Sequence, residues 1–410
     1  MLNDDFMQVW NSFRRIEAAF NHEIPDRVPK YEGSIEIKEL NPTIDGQAAP
    51  MAILIFSPQQ LNYLNKLPPL LTLIKHLIGH PRLFHPLASI MPRIISRLQR
   101  QYNYDMFSYT PGIPIIFTER LIRDFYTEEK NRIIRHRNGR IVWKNSAEGA
   151  HARYGFMQSP ADWDKYMKFD PDHLGNYFLT EAAVKTCKKL DIVPLFAIFG
   201  GAGFEELCGM FGFETLFKFF YTDKTFVKNA VKEMNDYAIA VAEGLLQRGG
   251  KYIYFTADLG YTGRSIISPQ IFRELFKPGM KKLCRRVHQL GGKVMFHSCG
   301  NIVKLMPDLV ETGIDALHPI EKTAGNDIVQ FKKQYGKNLT LVGNVPIPLL
   351  THGIPKDIYD YVKYLLENVS KDGGHIISSD HSVTQWCKLT NFIAYYQAVE
   401  KYGQYPIKIS

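Results

Sequence analysis

Short β-rich runs that alternate with helix-length segments are the feature of this sequence that most restricts its fold. Eight runs can be read as strands: RVPKYEGSIE near residue 30, YDMFSYTPG near 107, DIVPLFAIFGG near 196, KYIYFTADLG near 255, KVMFHSCG near 296, DALHPIE near 318, LTLVGNVP near 342 and HIISSDHS near 378. Alternating strands and helices form a parallel sheet, and a set of this size predicts closure into a barrel. We therefore predict an α/β fold, a (β/α)8 TIM barrel, as a single domain over residues 1–410.

The segments between the later runs have the length and pattern of helices. They span Pro269–Leu290, Ile302–Thr312, Asn326–Tyr335 and Pro355–Lys371. The first twenty residues predict an amphipathic helix, and RHRNGRIVW predicts a hairpin within a mixed excursion over 115–170. Residues 57–104 fit none of the barrel units, and we predict that they form an inserted helical segment.

The net charge of +9 is concentrated in that insertion. From Met51 to Tyr104 there is no acidic residue, and six positive charges come from Lys66, Lys75, Arg82, Arg93, Arg97 and Arg100. Because the excess is local and no zinc-finger, RNP or helix-turn-helix signature accompanies it, we expect no nucleic-acid partner. The insertion has the pattern of a lid, a partner-docking surface, an interfacial amphipathic segment or a helical subdomain packed on the barrel.

Composition indicates a large globular core in a reducing compartment. Apolar residues make up 45% of the chain, and the five cysteines are scattered and odd in number. This cysteine usage is not that of a disulfide framework, so we expect a cytoplasmic protein. No run of 18 apolar residues is present, and no transmembrane segment is predicted.

Polar side chains stand at the ends of most predicted strands. They are Glu32 or Glu36, Asp105, the glycines of FGGAG, Asp258, His297 with Cys299, His318 with Glu321, Asn344, and Asp380 with His381. In a TIM barrel the carboxyl ends of the strands meet at one face, where the loops build the active site. We therefore predict the functional site there.

The His297-x-Cys299 pair places an imidazole and a thiol at one strand end. Alternate residues of a strand point the same way, so both side chains can face the barrel opening. Imidazole and thiolate are zinc ligands, but two ligands make only half a site. The alternative is a packed cysteine beside a hydrogen-bonded histidine.

The segment ISSDHSVTQWC offers a third ligand. His381 ends the last predicted strand and Cys387 follows six residues later, and either residue would complete a three-ligand zinc site with an open fourth position. Asp380 is a candidate substrate-binding residue, and the alternative is a carboxylate that caps a helix.

Two further motifs follow apolar strands. Asp258, in FTADLGYTG, is a candidate acid, base or cation-binding group, or else a turn residue that bonds its own backbone. Gly200, Gly201 and Gly203 form a glycine-rich turn in which Glu206 replaces the last glycine of a dinucleotide fingerprint. We expect close backbone approach there, and the turn is a candidate cofactor-binding element.

Taken together, these motifs resemble the uroporphyrinogen decarboxylase superfamily, which includes corrinoid-dependent methyltransferases. The resemblance rests on RRIEAAFNHEIPDRVP, on ISPQIFRELFKPGMKKL followed by GGKVMFHSCGNIVKLMPDLVETGIDALHPIE, and on YGKNLTLVGNV, GGHIISSDHSV and NFIAYYQAVEKYGQYP. It covers most of the chain outside the insertion and implies the same barrel.

The methyltransferase branch matches better than the decarboxylases. Decarboxylases of the family have paired amino-terminal arginines for substrate carboxylates, where this chain has PKYEGSIEIKEL. HSCG is similar to the His-x-Cys that supplies two zinc ligands in methylcobamide:thiol methyltransferases. The third ligand of those enzymes is a cysteine, and His381 stands at the equivalent position here, with Cys387 downstream.

The resemblance implies a methyltransferase that uses zinc and a corrinoid, either free methylcobalamin or a corrinoid protein. The second substrate is a thiol acceptor or a methylated small molecule. We expect His297, Cys299 and His381, or Cys387 in its place, to bind zinc, while Asp258, Glu321, Asn344 and Asp380 line the same opening and orient the substrate. The alternative is a metal-independent decarboxylase of the uroporphyrinogen type, in porphyrin biosynthesis.

Overall fold

The computed structural model describes residues 10–33, 35, 37, 102–109 and 155–409, apart from 156, 168, 174, 175, 178 and 179, together with the backbone of four strands between 125 and 151. The predicted insertion at 57–104 lies outside these residues except for its last three, and Glu36 also lies outside them.

The strands form one large parallel sheet and two small antiparallel ones. They are β1 (Met106–Tyr109), β2 (Phe125–Glu128), β3 (Ile133–His136), β4 (Ile141–Ser146), β5 (Gly149–His151), β6 (Val193–Ala197), β7 (Tyr252–Thr256), β8 (Gly260–Tyr261), β9 (Arg264–Ser265), β10 (Lys293–His297), β11 (Ala316–His318), β12 (Thr340–Val345) and β13 (His375–Ser379). The large sheet has the order β1-β6-β7-β10-β11-β12-β13, and each neighbouring pair is parallel.

A short amino-terminal segment connects the two edges of this curled sheet. Lys30 pairs with Ile377 of β13 and Tyr31 pairs with Met106 of β1, both in the parallel sense. The Tyr31 amide donates to the Ile377 carbonyl at 3.1 Å. The sheet is thus compatible with a TIM-like barrel in which the first predicted run takes the position of the eighth strand.

Helices cover the outside of the sheet. They are α1 (Ser12–Phe20), α2 (Pro160–Tyr166), α3 (Thr180–Leu190), α4 (Phe204–Phe211), α5 (Phe213–Thr222), α6 (Lys224–Gln247), α7 (Pro269–Ile271), α8 (Lys277–Gln289), α9 (Met306–Glu311), α10 (Ile328–Tyr335), α11 (Ile347–His352), α12 (Pro355–Leu365) and α13 (Leu389–Tyr402). Single π-helical turns lie at Phe272–Phe276 and Leu366–Ser370. In the described part of the chain, no helix has both the length and the hydropathy needed to cross a bilayer.

Two apolar clusters hold the layers together. The larger lies between the sheet and the helices, and the smaller fills the inner face of the sheet with side chains such as Leu195, Tyr254 and Met295. Helix α1 contributes Ile16 and Phe20 to the inner cluster, and so covers the end at which the strands begin. The opposite end, where the strands finish, remains available for a site.

The structure confirms the predicted hairpin and corrects one strand end. β3 and β4 pair in an antiparallel sense around RHRNGRIVW, within a sheet of order β2-β3-β4-β5. The placement of Asp105 at the carboxyl ends was wrong, because β1 begins only at Met106. Asp105 is fully buried at the amino-terminal end and accepts hydrogen bonds from Arg27 at 2.8 and 2.9 Å.

Candidate metal centre

Three side chains with different donor atoms meet where β7 and β10 end; we call Asp258, His297 and Cys299 the donor cluster. One donor atom from each residue lies within 4.8 Å of the other two. His297 Nε2 is 3.1 Å from Cys299 Sγ and 3.5 Å from Asp258 Oδ1. The side chains of Asp258 and His297 are 46% and 18% exposed, so a ligand can reach them.

Strand geometry brings these residues together. Met295 faces the inner cluster, and the alternation along β10 gives His297 the same direction. The Cys299 amide donates to Asp258 Oδ1 at 3.0 Å, which ties the turn after β10 to the turn after β7. The cluster is therefore built on the ends of two neighbouring strands.

Burial and mutual contacts set the protonation of the cluster. Burial raises the pKa of the Cys299 thiol to about 12, and a hydrogen bond with His381 opposes that rise. The same hydrogen bond raises the pKa of His381. Partial burial also tends to raise the pKa of Asp258, but its interaction with His297 and the hydrogen bond from the Cys299 amide outweigh that effect and leave the pKa below its ordinary value. His381 thus lies in hydrogen-bond contact with Cys299, but the described group whose donor atoms meet within 4.8 Å consists of Asp258, His297 and Cys299.

A second histidine stands behind His297. The Nδ1 atoms of His297 and His318 are 2.7 Å apart, and the two residues are direct partners in the pairing of β10 with β11. Burial, with the charges of His297 and His381, lowers the pKa of His318 well below its ordinary value. His318 is therefore neutral, and its Nδ1 lone pair can accept the Nδ1 proton of His297, which leaves His297 Nε2 free to bind a metal.

Glu205 is a site residue that sequence reasoning missed. It lies in the first turn of α4, and Thr256 Oγ1 donates to its carboxylate at 2.8 Å. Glu205 is solvent-exposed, but desolvation by the surrounding protein raises its pKa, and the neighbouring charge of Asp258 adds to the rise. The sequence feature that could have identified Glu205 is an acidic first helical turn directly after the glycine-rich end of a strand.

The other predicted carboxylates are fixed by backbone amides. Glu321 accepts a hydrogen bond from the Gly300 amide at 2.8 Å and so stabilises the turn that carries Cys299. Asp380 is buried and accepts from the amides of Lys322 and Ile347 at 3.1 and 2.9 Å. Burial raises the pKa of Asp380 to about 7 against these two hydrogen bonds.

Asn344 and Cys387 make contacts within the protein. The Asn344 side chain donates to the Ile320 carbonyl and accepts from the Tyr361 hydroxyl. Cys387 Sγ lies 3.7 Å from Thr351 Oγ1 and 3.9 Å from Thr384 Oγ1. Among the residues that the structure describes, the group whose donors meet within 4.8 Å contains neither of them.

The glycines 200, 201 and 203 allow close packing behind the site. A Cβ atom on Gly201 would lie 2.4 Å from the Phe255 ring, and Gly200 has a φ of +81°. Asn235 Nδ2 donates to the carbonyls of Gly200 and Gly201 at 2.9 Å each. Glu206 accepts from the Gly200 amide at 2.7 Å, so the turn is held by its own neighbours.

Comparison with solved structures finds chains of similar fold. A methyltransferase from Methanosarcina mazei superposes with a TM-score of 0.58 at 18% identity, covering 96% of this chain and 99% of that one. A sugar phosphate isomerase/epimerase from Parabacteroides distasonis covers 78% of this chain and 92% of its own, at a TM-score of 0.36 and 9% identity. The first likeness shows a shared fold, and the second is too distant to support an argument.

Comparison of sequences identifies the family. No curated protein matches the chain. The family model described as uroporphyrinogen decarboxylase (URO-D) matches residues 139–402, a span that contains the donor cluster, His318 and His381. The chain therefore belongs to the uroporphyrinogen decarboxylase family.

Proposed function

We propose that this chain is a zinc-dependent methyltransferase that moves a methyl group between a corrinoid and either a thiol or a methylated small molecule. The observation that carries the proposal is the donor cluster, in which a carboxylate oxygen, an imidazole nitrogen and a sulfur lie within 4.8 Å of one another. The shared fold with a methyltransferase is compatible with it.

The donor set fits zinc. Zinc in proteins takes sulfur, imidazole nitrogen and carboxylate oxygen, and catalytic sites keep a position open for substrate. His297 and Cys299 would hold the ion together with one further ligand, either Asp258 of the donor cluster or His381 beside Cys299, and the fourth position would stay open. When bound there, zinc would lower the pKa of an acceptor thiol or polarise a methylated donor.

The remaining side chains orient the substrate and handle its proton. Glu205 lies beside Asp258, where its carboxyl group would exchange a proton with an incoming thiol. Glu321 holds the Cys299 turn through the Gly300 amide. The corrinoid, free or on a partner protein, is the second substrate at the same end of the sheet.

The contacts of the amino-terminal arginines disfavour tetrapyrrole decarboxylation. A substrate with several carboxylates needs cationic partners at the site. Arg15 and Arg27 instead pair with Asp26 and Asp105, and Asp105 lies at the opposite end of the sheet. At the described strand ends, by contrast, the side chains of Glu205, Asp258 and Glu321 are acidic and do not suit a polycarboxylate.

The test is an assay of methyl transfer in both directions. Methylcobalamin is mixed with the protein and a panel of thiols, and reduced cobalamin is mixed with methoxylated and methylated donors. The cobalamin spectrum should change in one direction and stop changing when zinc is removed by a chelator. No change in either direction, with coproporphyrinogen formed from uroporphyrinogen, would establish the decarboxylase instead.

A further inference from the structure

The turn that carries His381 is held by a chain of hydrogen bonds from the amino-terminal segment. Ser379, the last residue of β13, donates its amide to Glu32 Oε1 at 2.9 Å. Its hydroxyl contacts Glu32 Oε2 and also lies 2.6 Å from the carbonyl oxygen of His381. One serine hydroxyl therefore connects a buried carboxyl group to the backbone of a proposed zinc ligand.

The single proton of this hydroxyl limits the possible directions of its two hydrogen bonds. Ser379 Oγ carries a single proton, and the His381 carbonyl can only accept. If the hydroxyl donates to His381, its contact with Glu32 is a hydrogen bond only when Glu32 is the donor. Glu32 must then be a protonated carboxylic acid.

The surroundings of Glu32 favour the neutral form. Glu32 is 8% exposed and Ser379 is 1% exposed, so ionisation would leave a charge with little solvent. Burial, together with the charge of Asp380, raises the pKa of Glu32 to about 8, although the hydrogen bonds with Ser379 oppose this. The Tyr395 hydroxyl lies beside it.

We infer that Glu32 is a positioning residue for the metal centre: as a neutral acid it donates to Ser379, whose hydroxyl fixes the carbonyl of His381. The inference rests on the proposed function in that it takes His381 as a zinc ligand. Glu32, which directly follows the two residues that close the sheet, thus also sets the position of a ligand just after the last strand. Groups behind metal ligands typically change metal affinity by about 10- to 100-fold when they are removed.

The first test measures zinc affinity by competition with a chromogenic chelator. Ser379→Ala removes only the hydroxyl and should weaken zinc binding by about 10- to 100-fold. Glu32→Leu should have a similar effect. Glu32→Gln can donate from its amide nitrogen and accept at its oxygen, so it should bind zinc within about threefold of wild type.

Ser370→Ala is the matched control. Its hydroxyl is also buried and is also hydrogen-bonded, to His375 Nδ1 at 2.7 Å. Ser370, however, precedes the amino-terminal end of β13, whereas His381 follows the carboxyl end. This variant should lower the melting temperature without changing zinc affinity. A Ser379→Ala variant that binds zinc as tightly as Ser370→Ala would overturn the inference, while a wild-type protein that binds no zinc would overturn the proposed function with it.

The second test needs no metal. The infrared difference spectrum between wild type and Glu32→Gln at neutral pH should contain the carbonyl stretch of a protonated carboxylic acid. A carboxylate band in its place would show that Glu32 is ionised and cannot donate a proton to Ser379, which would overturn the inference.

Discussion

Replacing His318 should weaken zinc binding although His318 itself is not a ligand. His318 is buried, and its Nδ1 lies 2.7 Å from Nδ1 of His297. Since the buried imidazole stays neutral, it accepts the proton of His297 and directs His297 Nε2 toward Cys299 and Asp258. His318→Phe keeps a ring of similar size but removes the acceptor.

The size of the effect follows from the loss of this one hydrogen bond. Removing the partner of a metal-bound histidine typically costs 10- to 100-fold in affinity, which corresponds to about 1.4 to 2.8 kcal/mol. His318→Asn places an amide oxygen near the former Nδ1 position and should recover most of that loss. Chelator competition gives the affinities, and thermal unfolding of the metal-free variants shows whether each one folds.

The tautomer of His297 gives a direct check. In the metal-free wild type, nitrogen NMR should show the proton of His297 on Nδ1, and in His318→Phe that preference should disappear. A phenylalanine variant that binds zinc within about twofold of wild type, or a wild-type His297 protonated on Nε2, would refute the role assigned to His318.

Three further predictions test other parts of the account. Zinc binding should strengthen by about tenfold per pH unit between about pH 7 and pH 9, because the Cys299 thiol, whose pKa is raised, must lose a proton to bind metal. A zinc affinity that does not depend on pH would contradict this. Asp105→Ala should destabilise the protein by about 3 to 5 kcal/mol in urea unfolding, because it leaves Arg27 buried without its partner; a loss below about 1 kcal/mol would mean that the pair is not structurally important. Gly201→Ala should cost about 1 to 3 kcal/mol, because the new Cβ would meet the Phe255 ring at 2.4 Å; an unchanged melting temperature would contradict that packing.

The parallel sheet could be predicted from the sequence because its strands are short, apolar and separated by helices. The runs around Phe196, Phe255 and Phe296 all form strands of that sheet. Asp105 was misplaced because a short β-rich run does not show at which residue its strand begins, and Asp105 precedes β1. The buried pairing with Arg27 that decides the matter joins residues 78 positions apart.

Part of the metal centre was also accessible from sequence. His297 and Cys299 are two residues apart on one strand end, so their proximity follows from strand geometry alone. Asp258 was recognised as a polar strand end, but its distance to His297 depends on the pairing of β7 with β10. The roles of Glu32 and His318 could not be predicted, because each depends on hydrogen bonds between distant segments.

The measurement that tests the central claim most directly is the zinc content of purified protein by elemental analysis. The account predicts about one zinc per wild-type chain, retention in Cys387→Ser, and loss in Cys299→Ala, because the ligands that remain after removal of the thiolate do not hold the ion tightly. Full zinc retention in Cys299→Ala, or a wild-type protein that takes up no zinc, would contradict it.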